Sequence, residues 1–214
     1  MAKPLQSASI AAPGFYGLNT QESSITLAAG FALQADNCII DKYGRLGARK
    51  GWYYTAESAG VDLRGVHEFI AIDGTRYIGA WSDTAFYIVN GSTLTPVPYV
   101  GDNTITTDGW QAATLNDAAF LFCNEYKPVY FSPLTGTITD VEDAGHGVPP
   151  SANTVLSAYG RLWVADTTTN KTTVYWSDLL DGTNWNSGTS GSLDLSSVLV
   201  NGNDEIVALG AHGS

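Results

Sequence analysis

RGVHEFIAIDGTRYIGAWSDTAFYIVNGSTLTPVPYV, residues 64–100, decides the fold class. Its apolar runs are about four to five residues long, and each ends on turn formers: Asp73-Gly74, Ser82-Asp83 and Asn90-Gly91. Asp-Gly and Asn-Gly steps supply the positive φ that tight hairpin turns need. The spacing therefore predicts a four-stranded antiparallel meander whose short apolar runs are buried on both faces.

The layout recurs downstream. WQAATL turns at Asn116-Asp117 into AAFLFC, and PVYFS turns through residues 133–136 into TITDV. NTVLSA then turns at Tyr159-Gly160 into RLWVAD, with TTVYWSD after it. Asp73, Asn116 and Tyr159 stand 43 residues apart, so the first turns of three units share one period. Four short strands in about 40–45 residues have the dimensions of a β-propeller blade, which buries its faces only against neighbouring blades.

The reading is an all-β chain of repeated four-stranded antiparallel meanders, a partial β-propeller-like domain. Residues 61–214 hold the repeats, at about 61–100, 109–141 and 153–186, with an incomplete unit at 204–214. The third unit has a loop-rich second half, and Glu205–Leu209 reads as the first strand of a fourth. A unit that starts and stops predicts either a fragment of a longer protein, the favoured reading, or a partner that completes the sheet.

Residues 1–60 form the other region. The first 30 are rich in Ser, Ala, Gly and Thr without a sustained period and read as an extended arm. FALQADNCIIDKYGRLGARKGW, residues 31–52, reads as a hairpin turning at 41–44. A helix over about 22–35 competes, weakened by Gly30. The opening residues lack the apolar core of a secretory signal, and no run reaches the 18 apolar residues of a spanning helix.

The net charge of −11 disfavours tight wrapping of nucleic acid, whose affinity comes from Lys and Arg on phosphates. Residues 41–52 nevertheless hold Lys42, Arg45, Arg49 and Lys50 against Asp41, a local +3 that leaves −14 on the rest. These four residues are the candidate assembly contact, as a salt-bridged subunit surface or a solvated turn, with a phosphate-contacting patch as the alternative.

Chemistry finds little footing. Cys38 and Cys123 lie 85 positions apart and read as free buried thiols. His67, His146 and His212 share no metal-ligand spacing. No Gly-x-Ser-x-Gly elbow and no phosphate-cradling glycine pattern occurs. Asp194, Asp204 and Glu205 lack the alternation of a calcium loop and read as solvated charges. Residues 177–185 are loosely similar to the Asp-box turn of sialidase-like propellers, yet the spacing departs from it. Only Arg64, Arg76 and Arg161 lie beyond the hairpin to grip a carboxylate. Trp52, Trp81, Trp110, Trp163, Trp176 and Trp185 read as filler between sheets, with a sugar-stacking platform as the alternative. No catalytic, cofactor or metal residue is assigned.

Two blocks carry a resemblance. GFYGLNTQESSITLAAGFALQADNCIIDKYGRLGARKGW, residues 14–52, resembles the opening of the tail tubular, or nozzle, proteins of short-tailed bacteriophages, where a segment ending in a basic step leads into the first propeller strands. LSAYGRLWVADTTTNKTTVYWSDLLDGTNW, residues 156–185, is similar to a recurring strand pair of that family, with its aromatic-Ser-Asp step and a loop ending in Trp. The resemblance implies a virion structural protein without enzymatic activity. It implies a subunit of a hexameric ring in the phage tail, assembled in the host cytoplasm, that contacts adaptor and tail fibre proteins and forms part of the DNA ejection channel. Such chains are much longer than this one, which implies an N-terminal fragment. The acidic surplus would then line a lumen that repels the DNA backbone and lets it slide. A carbohydrate-binding β-propeller or receptor-binding module is the alternative.

Overall fold

The computed structural model describes residues 16–28, 30–40, 46–51, 53–54, 56, 60–101, 109–141, 147–198 and 204–212. The chain divides into two compact units, Met1–Tyr54 and Thr55–Ser214. It is all-β, as the turn chemistry predicts, and among the described residues no helix is long and apolar enough to cross a membrane.

In the first unit, β1 (Gly17–Leu18) pairs in parallel with β2 (Phe31–Ala32), and the Tyr16 and Phe31 rings sit 5.6 Å apart. The expected arm therefore carries a short strand. Among the described residues of 22–35 the competing helix is absent: Thr26 N and Leu27 N both donate to Ser23 O in an isolated turn. The expected hairpin is present as β3 (Cys38–Ile40) antiparallel to β4 (Leu46–Ala48).

Among its described residues the second unit contains three sheets. The first is the meander β5 (Gly65–Ile70), β6 (Arg76–Trp81), β7 (Phe86–Asn90) and β8 (Thr93–Val97), in sequence order. Pro98 donates no backbone hydrogen bond, and the chain leaves the sheet there. Tyr99 and Val100, read from sequence as the end of this unit, form β9 instead and cross to the next sheet.

That second sheet is β10 (Gln111–Leu115), β11 (Ala118–Phe122), β12 (Val129–Ser132) and β13 (Thr137–Asp140), with β9 added in parallel to β13. The third is β14 (Ala152–Ala158), β15 (Arg161–Thr167), β16 (Thr173–Trp176) and β17 (Gly191–Asp194). β17 corrects the reading of a loop-rich second half. Its sequence GSLD is too polar to announce a strand, yet it is an edge strand that pairs with β16 and is exposed from Ser192 to Asp194.

The sheets stack face on face, and alternation along each strand distributes side chains to two cores. Ala119, Leu121, Cys123, Val129 and Phe131 of the second sheet region meet Phe69, Trp81 and Phe86 of the first. Phe120, Phe122, Ala113 and Leu115 face the other way and meet Leu162, Val164 and Ala152 of the third. Burial on both faces therefore belongs to the second sheet; the first and third each keep one open face. Fully burying a side chain such as Phe122 or Leu162 is worth about 1.5–3 kcal/mol. Trp81 Nε1 and Trp110 Nε1 are buried without a hydrogen-bond partner, each costing about 1–3 kcal/mol.

The three first strands lie together, β10 against both β5 and β14, as the inner strands of blades do. Polar contacts tie the sheets. His67 bonds Thr114 at 2.8 Å, Ile72 N donates to Asp117 Oδ1 at 2.9 Å, and Asn116 Nδ2 donates to Leu180 O at 3.2 Å. The second and third sheets repeat in register at 43 residues, each turning in two residues, after Leu115 and after Ala158. Asn116 and Tyr159 hold φ of 56° and 53° there. The first sheet breaks register, since Ile70 pairs with Arg76 around a five-residue turn. Phe69 thus faces forward to the second sheet, while Ala112, 43 residues later, faces back to the first.

Candidate functional site

Of the four basic residues expected to make an assembly contact, Lys42 and Arg45 lie outside the described residues. Arg49 and Lys50 follow β4 and are exposed, with Arg49 N donating to Asn37 O at 2.8 Å to close the hairpin base. The backbone is thus fixed while both charged heads face water.

The loop after β16 is an internal staple. Ser177 is fully buried; its Oγ accepts from Leu162 N at 3.1 Å and donates to Asp178 O at 3.0 Å. The Asp178 carboxylate accepts from Thr189 Oγ1 at 2.6 Å, Thr189 N at 2.8 Å and Leu179 N at 2.8 Å. These bonds, the Thr189 hydroxyl foremost, hold Asp178 below the usual carboxylate range. Arg161 donates to Ser177 O, Thr189 O and Thr189 Oγ1 across the same loop. Gly182 presses on the second sheet: a Cβ there would lie 2.4 Å from Phe120 Cζ and 2.8 Å from Leu162 Cδ1. The aromatic-Ser-Asp step and the glycine therefore bind β16, β17 and the neighbouring sheet together.

The remaining readings sort by environment. Trp81 and Trp110 belong to the core between the first two sheets, and Trp185 packs edge-on against Phe122 at 5.9 Å. Trp52 and His146 lie outside the described residues. His67 is half-buried between sheets, and burial pushes its pKa down. Among the described residues no group of three His, Cys, Asp or Glu is placed to hold a metal ion. Asp194 accepts from Ser196 N, Ser196 Oγ and Thr172 Oγ1, capping a turn. Both cysteines are free; Cys123 is buried, whereas Cys38, on the two-stranded hairpin, is only half-buried.

Glu205–Leu209 is not a strand: residues 204–212 join no ladder. The segment nonetheless follows β14. Thr154 Oγ1 donates to Val207 O at 3.2 Å and Tyr159 Oη to His212 O at 3.2 Å, so five residues of one match five of the other in the same direction. A cleft of about 180 Å³ separates Leu209, Gly210 and Ala211 from Leu156, Ala158, Tyr159 and Trp163. The segment runs alongside β14, as β10 runs alongside β5, and joins no ladder among the described residues.

This surface is what residue-by-residue motif reading passes over. Phe120 and Tyr130 are Cα partners whose rings stack at 5.6 Å under the third sheet. Trp163 and Trp176, Cα partners at the corresponding place in the next unit, have rings 5.4 Å apart on the open face. The 43-residue period carries the signal once it is applied to the strands as well as to the turns.

No protein-family model matches the chain, and no curated protein shows significant similarity to it.

Proposed function

We propose that this chain is a structural subunit of a ring-shaped phage tail nozzle, without catalytic activity, that contributes to a DNA ejection channel and contacts adaptor and fibre proteins. The observation that carries the reading is the open-ended stack. Three sheets bury their mutual faces and leave aromatic and aliphatic side chains on the outer ones, as a part made for assembly does. Two further features support it. The loop that carries the family resemblance spends its polar groups on internal bonds, and the net charge of −11 suits a wall along which DNA slides. Exposed Arg49 and Lys50 give a basic contact for an acidic neighbour.

A second reading, a carbohydrate-binding module, draws on one groove. It has a volume of about 390 Å³ and is bordered by Thr75, Arg76, Tyr77, Asn90 and Phe131, the mix of flat aromatic and hydrogen-bonding groups that sugars use.

Negative-stain imaging with a glycan array separates the two. Rings with an axial opening and no glycan signal support the nozzle, whereas a monomer retained on defined glycans overturns it.

A further inference from the structure

The side of the first sheet that packs on the second is covered over only part of its length. Strand register puts Tyr77, Ile88, Asn90, Thr95 and Val97 on the same side as Phe69 and Phe86. Phe69 and Phe86 are buried in the core between the sheets, whereas Asn90 and Thr95 are exposed. The groove of about 390 Å³ lies here, closed on one side by Phe131 of the second sheet. Small-molecule sites occupy about 300–1,000 Å³.

The chemistry of the groove is neutral. Arg76 is the one charged residue along it among the described residues. Register places Arg76 with Ile70 on the other side of the sheet, and its guanidinium is bonded to Glu68 at 2.5 and 2.8 Å. That pairing leaves no free charge to grip a phosphate or carboxylate ligand. The Asn90 carboxamide and the Thr95 and Tyr77 hydroxyls make no hydrogen bond among the described residues. Each group both donates and accepts, as sugar hydroxyls do. The Tyr77 ring stacks on Phe69 at 5.1 Å and meets Phe131 at 5.8 Å, so it is fixed before a ligand lies against it. A peptide strand finds a poorer fit, because the neighbouring edge strand β8 carries Pro96, which has no N–H to offer a ladder. We propose that this groove binds an uncharged saccharide, whose hydroxyls bond Asn90, Thr95 and Tyr77 and whose apolar ring face lies on Tyr77 and Ile88. It rests on the carbohydrate-binding reading, narrows the ligand to neutral sugars, and is independent of ring formation.

A glycan array carrying neutral glucans, mannans, galactans and xylans beside sialylated and uronic-acid glycans tests the site, probed with the whole chain and with Asn90→Ala and Thr95→Val. Both side chains are exposed, so neither substitution enters a core, and an unchanged far-UV spectrum checks the fold. The unsubstituted chain is expected to retain neutral glycans and pass over acidic ones. Calorimetric titration with the best-retained neutral glycan should show each substitution weakening binding about tenfold. Neutral-glycan binding untouched by both substitutions would overturn this groove and leave the carbohydrate-binding reading standing. Preference for acidic glycans would overturn the ligand class, and no retention on any glycan would overturn both the site and that reading.

Discussion

Trp163 stands on the open face of the third sheet at the position Phe120 holds on the buried face of the second, 43 residues earlier. The two side chains share a local fold and differ in what covers them. Phe120 is 2% exposed, so Phe120→Ala should lower the unfolding free energy by about 3–5 kcal/mol in urea titrations. Trp163→Ala, on a half-covered surface, should cost less than half as much in the monomer.

Ser177 provides the second prediction. Removing its hydroxyl leaves the Leu162 N–H unpaired in the core, so Ser177→Ala should cost about 1–3 kcal/mol. Asp178→Ala should speed hydrogen exchange at the Thr189 amide, which now donates to the carboxylate. Unchanged exchange at Thr189 would contradict the staple.

Stability should depend on pH through His67. Burial lowers its pKa in the folded chain from about 6.5, so the unfolded chain binds the proton more readily. Stability is full above the unfolded value and is lost as pH falls through that value to the lower native one. Thermal midpoints should drop between pH 7 and pH 5, and His67→Gln should flatten that part of the profile.

The thiols should differ in reactivity. Cys123 is 1% exposed, and burial pushes its pKa up, so little thiolate forms in the native state. Cys38 is only half-buried. A disulfide reagent should label one thiol per native chain quickly and the second only on unfolding; two fast thiols would contradict the packing of Cys123.

Much of the fold was legible where local chemistry and pattern agree. AAFLFC is apolar throughout because β11 is buried on both sides, and Asn116 and Gly91 mark turns because their φ is positive. Elsewhere tertiary context decided. Pro98 sends two residues to another sheet, polar GSLD becomes an edge strand, and Glu205–Leu209, apolar after its glutamate, joins no ladder among the described residues. The half-buried aromatic pair was hidden because Trp163 and Trp176 look like core residues from sequence alone.

Under the proposed function the chain assembles with copies of itself into a ring. Native mass spectrometry of the 22.7 kDa chain tests it most directly. A discrete oligomer is predicted; a monomer alone at all concentrations would contradict the ring-forming reading.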